Sequence, residues 1–320
     1  MRKLLVDIPQ LTSAHREAIA QAAKARGWQA IFSDDEASAL AAARDAEVVF
    51  GPNPALLKAA PALKWLCVPS AGAEQYLDPA LYANPRAALT NSAGAYGVTI
   101  AEHIVMVTLE LMRRQREYDQ VVAKRGWLRT LPIDSIRGSR VTLLGTGDIG
   151  RTAAARLRGF EPEVIVGVNR SGHPVPGEFD RVAPLSALDE ILPETDLLVM
   201  SLPGTADSAG LMDGRRLSLL PKTAYLVNVG RGSAVDEKAL LELMAGGHLS
   251  GAALDVFQTE PLPPESPLWD CPRILITPHV AGNMTLGYTV DRIVALFLEN
   301  FERYCEGKPL LRVVEREKGY

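Results

Sequence analysis

The stretch VTLLGTGDIGR, residues 141–151, joins an apolar run to glycines at 145, 147 and 150, the spacing G-x-G-x-x-G. Glycines in that spacing serve ordinary turns as well as phosphate loops, so the context decides. The run before Gly145 has strand length, and DIGRTAAARLRGF after it reads as a helix. A strand, a glycine turn and a helix in that order let backbone approach a pyrophosphate closely, and the helix start offers unpaired N–H groups and a favourable dipole. Gly145, Thr146, Gly147, Asp148, Ile149 and Gly150 are therefore the expected dinucleotide-binding segment.

Outward from this loop, short apolar runs alternate with helical patterns. RVTLLG (140–145), EVIVGVN (163–169), TDLLVMS (195–201), AYLVNV (224–229), GAALDV (251–256) and RILITP (273–278) are continuous rather than alternating, as strands covered on both faces require. They predict a doubly wound sheet of six strands. An earlier series, KLLVDI (3–8), QAIFS (29–33), EVVFG (47–51), LKWLCV (63–68) and AALTN (87–91), predicts a second parallel α/β unit. Its first helix spans 13–27, with Ser13 as N-cap and Gly27 as stop. One long helical pattern covers 97–126, and another, 287–307, can return the chain to the first unit. The expected fold class is α/β with two Rossmann-like domains. Residues 1–97 and 288–320 form a discontinuous substrate domain, and 98–287 an inserted dinucleotide-binding domain.

The bulk properties suit this. At 320 residues the chain exceeds the usual size of one core, and 47% hydrophobic with 22% charged residues is ordinary for a globular protein. A net charge of −4 argues against nucleic acid as the main partner. The start lacks a signal-peptide core, and Glu102, His103 and Glu110 interrupt the most apolar helix, so neither export nor membrane insertion is expected and a cytoplasmic location is. Cys67, Cys271 and Cys305 are scattered, which suits buried or incidental thiols and offers no metal site. Cys67, just ahead of a glycine loop, is the one candidate for a reactive thiol.

About 20 residues past a glycine loop, an NAD enzyme places an acid against the ribose hydroxyls. Here stand Asn169, Arg170 and Ser171. Asn bonds without repelling a 2′-phosphate, and Arg and Ser can bind one, so NADP is the preferred cofactor and NAD the alternative. Farther on, NVGRGSAVD, GAALDVFQTEP and ITPHVAG each end or follow a strand, so Arg231, Asp255, Glu260 and His279 converge at the carboxyl ends of one sheet. Reducing a 2-keto acid needs a cation for the carboxylate and keto oxygen, and a proton donor for the emerging alkoxide. Arg231 suits the first role and His279 the second, with Glu260 orienting the imidazole and favouring its protonated form.

With these motifs in sequence, together with SLPGTADSAGLMD (201–213), SAGAEQYLD (70–78) and TNSAGAYGVTIAEHIVMVTLELMRR (90–114), the chain resembles the D-isomer-specific 2-hydroxyacid dehydrogenases, in the branch with glyoxylate/hydroxypyruvate reductases. The resemblance implies that Arg231, Glu260 and His279 are catalytic and that Asp255 lies beside the nicotinamide. It implies cofactor contacts at Leu202, Pro203, Thr205, Val229, Gly230 and Gly282, and a substrate carboxylate received by the backbone of Ser70, Ala71, Gly72 and Ala73 together with Arg231. It further implies a flavodoxin-like substrate domain, a cleft between the domains and a homodimer. Glu74 stands where relatives often carry Asp. Tyr76, Tyr96 and Met284 are candidates for selecting the substrate side chain. The expected activity is hydride transfer from NADPH to a small 2-keto acid. The alternatives are an NAD-linked relative acting on a bulkier acid or on 3-phosphoglycerate, and a dinucleotide-sensing corepressor-like scaffold.

Overall fold

A computed structural model describes residues 1–33 and 35–319. In chain order its strands and α-helices are β1 (Arg2–Val6), α1 (Ser13–Ala25), β2 (Trp28–Phe32), α2 (Glu36–Ala43), β3 (Val48–Phe50), α3 (Ala55–Ala59), β4 (Trp65–Cys67), β5 (Ala88–Thr90), α4 (Gly97–Met112), α5 (Gln115–Ala123), β6 (Arg140–Leu144), α6 (Asp148–Arg158), β7 (Val164–Asn169), β8 (Arg181–Pro184), α7 (Leu188–Ile191), β9 (Leu197–Met200), α8 (Gly214–Leu219), β10 (Tyr225–Asn228), α9 (Glu237–Ala245), β11 (Gly251–Leu254), β12 (Ile274–Ile276) and α10 (Gly287–Cys305). The chain divides into two compact units. One joins Met1–Tyr96 with Met284–Tyr320 and the other is Gly97–Asn283.

In the first unit a parallel five-stranded sheet runs β2-β1-β3-β4-β5, the flavodoxin-like order. Its strands are short and apolar because both faces are covered: Leu4, Leu5, Val48, Phe50 and Trp65 are all fully buried. One face receives α10, whose Phe297 stacks on Phe50 at 4.1 Å and on Trp65 at 5.5 Å. The N-cap of helix α1 lies one residue earlier than predicted. Thr12, not Ser13, holds the capping position, its hydroxyl accepting from His15 N, and Gly27 (φ +74°) ends the helix as expected.

The second unit is a parallel sheet of seven strands, ordered β12-β11-β10-β9-β6-β7-β8, one more than predicted. The added strand is β8, RVAP, an edge strand with only Ala183 buried. Such a strand lacks the long apolar run that marks its neighbours, and its proline is tolerated because it lies at the edge. Order reverses between β6 and β9, which lie side by side although β7 and β8 come between them in sequence. That switch point, beside the end of β6, is where such sheets leave a crevice for a ligand.

The single long helix expected over 97–126 is two. Arg114 adopts a left-handed conformation (φ +56°), separating α4 from α5. The reason is burial: α4 keeps Ile100, Ala101, Ile104, Val107 and Met112 buried, whereas α5 buries none of its residues, so nothing holds the chain to one straight axis past Met112. Among the described residues no helix is long and apolar enough to cross a membrane, and no cluster of His, Cys, Asp and Glu is arranged to hold a metal ion.

Candidate active site

The glycine loop follows β6 directly. Gly145 has φ +103°, a value only glycine adopts readily, and its N–H donates to Val168 O at 2.9 Å. A Cβ on Gly150 would stand 2.0 Å from Gly145 O, so the first turn of α6 can lie against the loop only without a side chain there. Around Gly147, by contrast, a Cβ would meet nothing within 4 Å. Gly147 is also the N-cap of α6 and supplies no side-chain acceptor for the helix's first N–H groups. Open space in front of an uncapped helix start fits a pyrophosphate, and the residues present therefore suit a dinucleotide.

Asn169 ends β7, and its amide is fully occupied. Nδ2 donates to Thr146 Oγ1 (3.1 Å) and His173 O (3.0 Å), and Oδ1 accepts from Gly172 N (2.6 Å). Asn169 therefore ties the 169–173 turn to the glycine loop. In that turn Arg170 Nη2 reaches Asp207 Oδ2 at 2.9 Å, both side chains largely exposed. On the next connection, Ser208 Oγ donates to Pro203 O (2.6 Å) and accepts from Thr205 N (3.0 Å), which closes the 203–208 turn. A Cβ on Gly230 would meet Leu202 N and O at 2.7 Å, so Gly230 lies directly against Leu202.

At the ends of β10, β11 and β12, two of the expected residues meet and a third follows the neighbouring strand. His279 Nδ1 and Glu260 Oε2 are 2.7 Å apart, and the other oxygen of Glu260 accepts from Phe257 N at 2.9 Å. With one oxygen fixed on backbone, the carboxylate holds the imidazole in one orientation. His279 is half exposed and sits at φ +53°, its N–H donating to Asp255 O and Thr277 O. Asp255 is 2% exposed and acts as the anchor of this turn: its carboxylate accepts from Thr277 Oγ1 (2.6 Å), Val280 N (2.9 Å) and Ala281 N (3.0 Å). Arg231 follows β10, where Asn228 braces the loop by donating to Arg231 O and accepting from Gly230 N. A Cβ on Gly232 would fall 1.9 Å from the carbonyl carbon of Phe257, so the Arg231 loop packs onto the loop that carries Glu260.

Behind Asp255 stands a residue that the sequence reading did not assign. His103 of α4 places Nε2 3.2 Å from Thr277 Oγ1 and 3.9 Å from Asp255 Oδ1, and burial holds its pKa below the ordinary histidine value despite the nearby Asp255 and Glu110 charges.

In the first unit, five consecutive carbonyl oxygens around SAGA accept hydrogen bonds: Val68 from Ser92 Oγ, Pro69 from Tyr96 Oη, Ser70 from Ser92 N, Ala71 from Asn91 Nδ2 and Gly72 from Ser70 Oγ. In a trans peptide the N–H points opposite to the carbonyl, so the amides of Ser70, Ala71, Gly72 and Ala73 face away from those donors. Three expectations for this unit are corrected. Cys67 is buried and its thiol is pushed up to about 12, which removes it as a reactive thiol. Tyr76 and Tyr96 are 1% and 5% exposed with hydroxyls donating to Pro52 O and Pro69 O, so both are structural supports and not selectors of a substrate side chain. Met284 is only partly buried, and Glu74 opens a short 3₁₀ turn.

Residues 105–281, more than half of the chain, match the model for the D-isomer specific 2-hydroxyacid dehydrogenase NAD binding domain. The chain belongs to the D-isomer-specific 2-hydroxyacid dehydrogenases. As a member it is an oxidoreductase, and its fold is theirs. This dehydrogenase is 35% identical over 228 residues, 70% of either chain, to glyoxylate/hydroxypyruvate reductase A of Klebsiella pneumoniae. It is similar in structure to a D-isomer specific 2-hydroxyacid dehydrogenase family protein of Aeromonas salmonicida (32% identity, TM-score 0.86, 98% and 99% of the two chains). It is also similar to the NADPH-dependent glyoxylate/hydroxypyruvate reductase of Sinorhizobium meliloti, solved with NADP and sulfate (29% identity, TM-score 0.82, all of both chains).

Proposed function

We propose that this dehydrogenase reduces a small 2-keto acid of the glyoxylate or hydroxypyruvate kind to the D-2-hydroxy acid, with NADPH as the preferred reductant and NADH as the weaker one. The observation that carries the chemistry is the 2.7 Å contact of Glu260 with His279, on a turn anchored by buried Asp255. When bound, the dinucleotide supplies the hydride. The protein's part is to orient the keto acid and to deliver one proton. Arg231 binds the carboxylate and polarises the keto oxygen with its planar, charged fork. His279 gives the proton to the nascent alkoxide from Nε2, because Nδ1 is held by Glu260. The amides of residues 70–73, which face away from the donors on their carbonyls, are assigned to a carboxylate. Residues 145–150, 169–171, 202, 203, 205, 229, 230, 255 and 282 are assigned to the cofactor.

The NADPH preference rests on Arg170 and Ser171 standing where an acid would repel a 2′-phosphate, and it agrees with the NADPH-dependent relative of Sinorhizobium meliloti. A homodimer and a cytoplasmic location complete the proposal. Val122, Trp127, Leu128 and Ile133, 40–90% exposed on and after α5, are apolar surface suited to a second copy, which light scattering would detect.

Initial rates with glyoxylate, hydroxypyruvate, pyruvate and a bulky 2-keto acid, each with NADPH and NADH, test the reading. The expected result is highest kcat/KM for the small acids with NADPH, and a fall of about 100- to 10,000-fold in kcat for His279→Ala at near-constant dinucleotide affinity. Turnover of none of the acids, or undiminished turnover by His279→Ala, would refute it.

A further inference from the structure

We propose that His103, acting through the Thr277 hydroxyl, is a positioning residue for the reaction: it fixes the Asp255 carboxylate that anchors the His279 turn. The inference rests on the assignment of His279 as the proton donor.

The direction of the hydrogen bonds follows from the atoms. A threonine hydroxyl has one proton, and Thr277 Oγ1 lies 2.6 Å from Asp255 Oδ1. The Asp255 oxygens already accept from the Val280 and Ala281 amides, so the hydroxyl proton goes to the carboxylate. Thr277 Oγ1 can then only accept from His103 Nε2 at 3.2 Å, which places a hydrogen on that nitrogen. The chain of bonds runs His103 Nε2–H to Thr277 Oγ1–H to Asp255 Oδ1. The direct His103–Asp255 distance of 3.9 Å is too long for a hydrogen bond, so the hydroxyl is the link. Its His103, Thr277 and Asp255 side chains are 10%, partly and 2% exposed, where replacement of a lost partner by water is poor.

The consequence reaches the catalytic group through backbone. Asp255 holds Val280 N and Ala281 N on one side of residue 279, and Thr277 on the other, while Asp255 O accepts from His279 N. His279 keeps a left-handed conformation at φ +53°, uncommon for a residue with a Cβ, and the bonds of Asp255 on either side of it hold it there. Loosening the carboxylate loosens that hold, and His279 can shift against Glu260. A displacement of about 1 Å is enough to cost on the order of 100-fold in rate. Fixing α4 to the end of β12 thus serves the geometry of a proton transfer that His103 never touches.

The test uses the full chain with His103→Phe, Thr277→Val, Thr277→Ser and the His103→Phe/Thr277→Val pair. kcat and KM are measured with NADPH and glyoxylate, dinucleotide affinity by quenching of protein fluorescence, and Tm by thermal melting. Thr277→Val keeps the shape of the side chain and so separates loss of the hydroxyl from loss of packing. The expected result is a fall of about 10- to 100-fold in kcat for His103→Phe and for Thr277→Val, with KM within about threefold. Thr277→Ser restores kcat to within about threefold of wild type, and the pair is no worse than the poorer single variant, because both break one chain of bonds. Unchanged kcat in Thr277→Val, multiplied losses in the pair, or failure of Thr277→Ser to restore kcat would overturn the proposal. If His279→Ala loses activity while His103→Phe and Thr277→Val do not, only this inference fails. If His279→Ala stays active, the assignment beneath it fails as well.

Discussion

Arg170 and Asp207 hold each other 2.9 Å apart on two exposed turns, so a 2′-phosphate that pairs with the guanidinium must compete with a carboxylate already there. Exposed pairs of this kind contribute about 0–1 kcal/mol, which a doubly charged phosphate readily exceeds. Arg170→Asp is therefore expected to raise Kd for NADPH at least tenfold while changing that for NADH less than threefold, as read by fluorescence titration. Equal changes for both dinucleotides would place Arg170 away from the phosphate. At this scale the sequence was informative wherever chemistry depends on residue type at a strand end. Glu260 and His279 were named from their places at or after predicted strand ends and from the chemistry of keto-acid reduction, and the structure puts them in contact. It was uninformative where the outcome depends on burial. Tyr76 and Tyr96 look like pocket residues in sequence, yet their hydroxyls are used on backbone carbonyls inside the unit. His103 was visible only as a polar interruption in an apolar helix, and its partner Thr277 lies 174 residues away, a separation no local pattern bridges.

The elements that carry the site were legible because parallel strands buried on both faces leave continuous apolar runs. All six strands expected in the second unit form. The seventh, β8, escaped because an edge strand needs no such run, and the break at Arg114 escaped because helical spacing persists across it while burial does not. Loop packing between elements is equally hidden from periodicity, and here it matters for function. Gly232 lies against the backbone of Phe257, which ties the loop after β10 to the loop after β11. Neither backbone can yield without moving Arg231 or Glu260. Gly232→Ala is thus expected to destabilise the protein by about 1–3 kcal/mol, as overpacking does, and to raise KM for the keto acid more than KM for NADPH. A variant with unchanged Tm and unchanged KM would show that the two loops are not rigidly joined.

At the scale of the whole molecule, the first unit is built from both parts of the chain that flank the second, and its joint has a measurable signature. Glu47, just ahead of β3, accepts from Arg2 on β1 (2.6 Å) and from Tyr304 Oη on α10 (2.9 Å), with Lys64 at 3.2 Å. Its side chain is 14% exposed, and above it the aromatic stack of Phe50, Trp65 and Phe297 continues the same seam. The Arg2 guanidinium, more than the tyrosine and the lysine, holds the Glu47 carboxyl at about 2 instead of the ordinary 4.5, against the opposing effect of burial. A carboxyl depressed in the folded state stabilises the fold fully above its unfolded pKa, and that contribution is lost as pH falls towards the folded pKa. Glu47→Gln should therefore lower Tm at neutral pH by an amount corresponding to about 1 kcal/mol, the modest size reflecting an Arg2 partner that is half in solvent. The gap between wild type and variant should hold constant from pH 8 to about pH 5. It should then narrow steadily between about 4.5 and about 2, as the wild-type carboxylate takes up its proton. Melting curves of both proteins across that range decide the matter. A gap that stays constant through the acid range would mean that Glu47 acts by shape and not by charge, and that the two ends of the chain are joined by the aromatic seam alone.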